Sequence, residues 1–115
     1  MTSVYMNIGD TEMELLVEGH AGYNDRNDIV CAAVSILGQA AAVTIIDMQW
    51  EYQVNVTAQM VPGKLSLHAQ YETKIKKEME SRIEIAKNGF LMLETAYPDH
   101  VKCHFLAVQT KNREL

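Results

Sequence analysis

WEYQVNVTAQMVPGKLSLHAQY, residues 50–71, decides the architecture. Trp50, Tyr52, Val54, Val56, Ala58 and Met60 alternate with Glu51, Gln53, Asn55, Thr57 and Gln59, the period of two that gives a strand one apolar and one polar face. Pro62-Gly63 supplies a turn, and Leu65, Leu67, Ala69 and Tyr71 then alternate with Lys64, Ser66, His68 and Gln70. A strand from Trp50 to Met60 and its returning partner form a half-buried hairpin. Its apolar face requires a covering layer.

Sequence on both sides provides that layer. Upstream, residues 29–46 form a run of 18 without a charge, too long for a strand, rich in alanine and preceded by Asp28 in an N-cap position. A helix is predicted from Asp28 to about Met48. Its apolar length reaches the lower edge of a membrane span, but Ser35, Gly38, Gln39, Thr44 and five alanines interrupt it and no Lys/Arg cluster flanks it, so a core helix is the better reading. Downstream, Ile75, Met79, Ile83, Ala86, Phe90, Leu93 and Tyr97 recur at helical spacing, while Lys76, Lys77, Glu80, Glu84, Lys87 and Glu94 fall on the other side. Pro98-Asp99 ends this second helix. Val4 to Ile8 and Met13 to Glu18, separated by Gly9-Asp10, read as a first strand pair, and Val101, Cys103, Phe105 and Ala107 read as a closing strand. The order β-β-α-β-β-α-β predicts an α+β two-layer sandwich, two helices packed on a mixed or antiparallel sheet. A single domain is expected over residues 1–109, followed by a polar tail over residues 110–115.

Composition narrows the function. The chain has 115 residues, and 48% of them are hydrophobic, enough for a core without structural metal or disulfides. A formal net charge of -5 has the wrong sign for a domain that wraps nucleic-acid phosphates. Cys31 and Cys103 have no CxxC or zinc-type spacing, and the N-terminus lacks a basic region leading into an apolar run, so a cytoplasmic protein with reduced thiols and neither metal nor cofactor is expected. His68, His100 and His104 share no ligand spacing and are expected on the solvated surface; Cys103 is expected in the core.

Chemistry concentrates in residues 19–35, GHAGYNDRNDIVCAAVS, where polar and flexible residues abut the apolar helix. Cys31 falls in the first helical turn, where unpaired N–H groups and the helix dipole favour a thiolate. His20, between Gly19 and Gly22, would complete a Cys/His pair for acyl transfer. On spacing alone, however, a packing cysteine and a solvated histidine are the more common outcome.

The segments Gly19-His20-Ala21-Gly22-Tyr23 and Asp28-Ile29-Val30-Cys31-Ala32-Ala33-Val34-Ser35 together resemble the signature of the ribosomal-processing cysteine protease Prp family, and Tyr97-Pro98-Asp99-His100-Val101-Lys102 resembles that family's junction between second helix and last strand. The resemblance implies a cysteine endopeptidase with Cys31 as nucleophile and His20 as base and then acid. Asp28 and Ser35 belong to the motif and, with Gly19 and Gly22, are expected to shape the site. The backbone N–H of Cys31 and one from the Gly19–Gly22 loop are the physical candidates for oxyanion donors. The implied substrate is a large-subunit ribosomal protein, number twenty-seven, carrying a short N-terminal extension; the implied assembly is a homodimer, with the apolar sheet face beyond the helices as its expected surface. Alternatives are a phage-type relative that processes capsid or scaffold protein, a non-catalytic peptide-binding module of the same fold, and a redox sensor built on Cys31.

Overall fold

The computed structural model describes residues 1–106, so Ala107 of the expected closing strand, the expected domain end at residue 109 and the tail lie outside the described residues. Five strands, β1 (Thr2–Ile8), β2 (Glu12–Glu18), β3 (Val54–Val61), β4 (Lys64–Tyr71) and β5 (Val101–Leu106), and two helices, α1 (Ile29–Asp47) and α2 (Lys76–Ala96), follow the expected order. The sheet order is β3-β4-β2-β1-β5. It is mixed, because β1 and β5 run parallel while every other pair is antiparallel. A parallel pair needs a long crossover, and β5 reaches β1 after α2 has crossed the sheet.

Both helices cover one face. Val4, Met6, Ile8, Met13, Leu15, Val17, Leu67 and Ala69 meet Val30, Val34, Ala42 and Ile45 of α1 and Met79, Ile83, Ala86 and Phe90 of α2 in one core. α1 with the turn that follows it is long and apolar enough to cross a membrane, a test that the core helix of a folded domain also passes. In this fold it lies on the sheet, with Ile29, Ile36 and Val43 left exposed on its outer side.

Three expectations change. The strand expected from Trp50 begins at Val54, because α1 continues directly into a 3₁₀ turn, Met48–Trp50. Glu51 and Tyr52 donate their N–H groups to the carbonyl of the fully buried Met48, and Trp50 is 87% exposed. The alternation across Trp50 and Tyr52 is therefore a turn that happens to match a strand pattern. Next, β3 is buried only at its start: Val54 is covered, whereas Ala58, Met60 and Val61 are exposed on an edge strand. Finally, the sheet face beyond the helices is polar, carrying Glu12, Glu14, His68 and Gln70, with Tyr5 and His104 stacked 4.6 Å apart across β1 and β5. The expected apolar surface for a dimer is not on that face.

Candidate active site

The end of the sheet where β1 and β4 begin and β2 and β3 finish also carries the start of α1. The chain leaves β2 through Gly19, whose φ of 95° favours glycine and where a Cβ would collide with the Met1 carbonyl. Gly19 N–H donates to the Gly63 carbonyl at 2.9 Å, and the Met1 nitrogen donates to the His20 carbonyl at 2.6 Å. His20 is thus tied to the start of β1 and to the β3–β4 turn. Its ring packs over Gly63: a Cβ there would lie 3.1 Å from His20 Nε2.

Beyond His20 the loop is pinned by the junction between α2 and β5. Ala21 is buried, and its carbonyl lies 2.9 Å from His100 Nδ1. A carbonyl only accepts, so that nitrogen carries the proton. Gly22 turns the chain with φ 68°, and the Tyr23 ring meets Tyr97 and His100 edge-on at 5.3 and 5.5 Å. His100, expected on the solvated surface, is half-buried and anchors the loop; no local spacing signals this, because its partners are about 80 residues away in sequence.

One carboxylate then closes the loop and starts the helix. Asp28 Oδ2 accepts from Tyr23 N–H at 3.0 Å, and Oδ1 accepts from Cys31 N–H at 2.8 Å. The Cys31 N–H does most to hold the Asp28 carboxyl below the usual carboxylate range, partial desolvation opposes it, and Tyr23 N–H adds to the lowering. This cap corrects one of the expected oxyanion donors: Cys31 N–H is committed to Asp28, and within the Gly19–Gly22 loop the Gly19 N–H is committed to Gly63.

A cleft of about 130 Å³ opens between the start of α1 and the β3–β4 turn, and it brings together Gly19, His20, Cys31 and Ser35. Asp28 and Gly22 do not line it; they set the path of the loop. Ser35 lies one turn after Cys31, and its Oγ accepts from Gln39 Nε2 at 2.9 Å, leaving the hydroxyl proton free to donate elsewhere. Thr2, Met60, Gly63 and Leu65 also line the cleft and were not legible in sequence, because strand pairing delivers them, and Gly38 joins them from α1, two turns after Cys31. Thr2 is 2% exposed, and among the described residues its Oγ1 is the one buried side-chain polar atom without a partner.

Outside the cleft, strand pairing puts ligand-type atoms of Glu12, Glu14 and His68 within 4.8 Å of one another on the polar sheet face. These residues start at the opposite end of β2 from the cleft. His68 Nε2 already has Glu12 as a partner at 3.2 Å.

A half-buried thiol in the first turn of a helix and an imidazole on an adjoining glycine-flanked loop line one cleft on an α+β scaffold, an arrangement that a cysteine hydrolase could use. The family described as Cysteine protease Prp matches residues 1–102, and the chain belongs to that family. Among curated proteins none matches by sequence. Solved structures of similar fold include the essential ribosomal processing protease Prp from S. aureus with a covalently linked product peptide, at 18% identity and TM-score 0.70, covering 92% of this chain and 100% of that one. The same S. aureus protease with a substrate peptide gives 17% identity and TM-score 0.66, again over 92% and 100% of the two chains. SMU.848 from Streptococcus mutans gives 20% identity and TM-score 0.65, over 92% and 94%.

Proposed function

We propose that this protease removes a short N-terminal extension from a large-subunit ribosomal protein, number twenty-seven, using Cys31 and His20. The observation that carries the reading is the single cleft lined by both residues in a chain of the Prp family. His20 takes the Cys31 proton, and the thiolate sulfur attacks the scissile carbonyl carbon. The imidazolium returns that proton to the leaving amine as the C–N bond breaks, leaving a thioester on Cys31. Water, deprotonated by His20, then cleaves the thioester and restores the thiol. With Cys31 N–H held by Asp28, the Ser35 hydroxyl is the side-chain donor on the same helix face able to offer the oxyanion a hydrogen bond.

The S. aureus relatives hold a substrate peptide and a covalently linked product peptide, which supports a peptide as the ligand of this fold. Action in the cytoplasm and assembly as a homodimer are part of the proposal. The test is mass spectrometry of a peptide carrying the ribosomal protein's N-terminal extension, incubated with wild type, Cys31→Ala and His20→Ala. A single cut made by wild type alone supports the reading. No cut by wild type with its thiol shown to be reduced shifts the substrate to another class, such as a phage capsid or scaffold protein.

A further inference from the structure

One edge of the sheet is left undefended. β3 and β5 are its edge strands, and an edge strand offers a row of unpaired N–H and C=O groups that proteins usually blunt with charge, proline or a bulge. β5 carries an exposed Lys102. β3 reads VNVTAQMV, without charge or proline, and its register with β4 runs residue for residue from Val54 to Val61, without a bulge.

The Gln49 side chain shows which main-chain groups of β3 face outward. Its Oε1 accepts from Val56 N–H at 3.1 Å, so that N–H points away from β4. In an antiparallel ladder the outward groups recur at every second residue, which turns the N–H and C=O of Ala58 and Met60 outward too. The two-residue turn agrees, because Val61 and Lys64 pair across Pro62-Gly63 and so direct their own groups inward. Among the described residues the outward groups of Ala58 and Met60 have no partner. Gln49 therefore covers the edge where β3 begins, and the edge where it finishes is bare. That bare end adjoins the cleft: Met60 and Val61, each about half exposed, line it together with Cys31 and His20.

The short reach of the bare stretch selects its occupant. A second copy pairing edge to edge over Ala58–Met60 would bury much less than the ~1,200 Å² of a stable interface. A single extended peptide needs only these groups, with two of its own amides, two residues apart, donating to the Ala58 and Met60 carbonyls.

We propose that the bare end of β3 is an exosite where an extended segment of the substrate, outside the cleft, adds to the five-stranded sheet as a sixth strand, an inference that rests on the Cys31–His20 protease reading. Recognition there is by main chain and not by sequence. It fixes the direction in which the peptide enters the cleft.

The test has two arms. In the first, the peptide carrying the ribosomal protein's N-terminal extension is made with backbone esters in place of single amides, each of which removes one N–H. Esters at two positions, two residues apart, are expected to raise KM tenfold or more, while the ester between them is tolerated. Ala58→Pro, a substitution that edge strands accept, removes one outward N–H and is expected to raise KM for the all-amide peptide tenfold or more, with a smaller effect on kcat. A scan without that alternation, or a wild-type KM in Ala58→Pro, overturns the proposal. The second arm needs neither cleavage nor a folded proline variant. Amide exchange is measured by NMR on Cys31→Ala with the same peptide and with N-acetyl-Lys-Thr-Val-Thr-Val-Lys amide, an extended peptide of unrelated sequence. Slowing of the Ala58 and Met60 amides by tenfold or more with both peptides supports the exosite. Slowing with neither overturns it, as does slowing that needs no peptide and grows with protein concentration, which would put a second copy on the edge. If wild type cuts no peptide the protease reading falls, and exchange with the unrelated peptide alone decides whether the edge takes up a strand.

Discussion

Cys31 and Cys103 are both free and both half-buried, yet their surroundings are opposite. Cys103 lies in β5 beneath α2, its Sγ 3.5 Å from the Phe90 carbonyl and its N–H donating to Glu94 at 2.6 Å. Burial, with the Glu94 carboxylate adding to it, pushes the Cys103 thiol up to about 12. Cys31 opens on a cleft with an imidazole across it, and its backbone N–H is capped by Asp28. Around Cys103 the backbone N–H and the thiol both have partners. Around Cys31 the mid-helix Gly38 lacks a neighbour that needs it and Thr2 Oγ1 lacks a partner. Local rules of stability are broken on the side where chemistry is proposed and obeyed on the other, which is where such breaks are expected.

The sharpest way to break this contrast is substitution of each thiol in turn. Cys31→Ala is expected to lower peptide cleavage by several orders of magnitude without changing Tm much, whereas Cys103→Ala keeps activity and loses about 1 kcal/mol of stability in denaturant titration. Equal loss of activity in both variants would place the nucleophile elsewhere. Chemical labelling draws the same line less steeply. At pH 7.5 iodoacetamide is expected to modify Cys31 at least tenfold faster than Cys103, read by peptide mapping, with Cys103 reacting at a comparable rate only after unfolding.

Smaller effects sharpen the comparison. The Tyr71 hydroxyl, buried and donating to the Gly9 carbonyl at 2.7 Å, is also raised to about 12, by burial first and then by Glu80, Asp10 and Glu12. Both groups fold in their neutral form, so the stability they contribute is complete below their unfolded pKa values, about 9 to 10, and is lost as pH rises towards 12. Cys103→Ala should flatten that alkaline fall in Tm. On the acid side the sign reverses. The lowered Asp28 carboxyl contributes above its unfolded value of 3.8, and this is lost as pH falls below it; Asp28→Asn should remove that part of the acid dependence and lower Tm by a few degrees. Thr2→Val, which replaces an unpartnered buried hydroxyl by a methyl group, is expected to raise stability by about 1 kcal/mol in urea titration. A drop instead would show that the hydroxyl has a partner in solution.

Much of the second helix was legible because its apolar period of three to four residues persists over five turns, and Ile75, Met79, Ile83, Ala86 and Phe90 are all buried. Glu94 escaped the same pattern. It was expected to face away, but the last turns of α2 lean over β5 and bring its carboxylate to Cys103 N–H. The hairpin of residues 54–71 was legible as well, although its apolar alternation said nothing about which end the helices would leave bare.

The sequence by itself determined the elements, their order, the Asp28 cap and the proximity of His20 and Cys31 to one flexible loop, because periodicity, capping and turn chemistry act over a few residues. Only the tertiary structure decided the rest of the site. Pairing of β2 with β4 brings the Pro62-Gly63 turn against His20; the parallel docking of β5 beside β1 brings His100 to the Ala21 carbonyl; and an edge strand that outruns its covering helix leaves the cleft open beside Cys31. These contacts join residues tens of positions apart, and their register is set by burial of the whole sheet face rather than by any local signal.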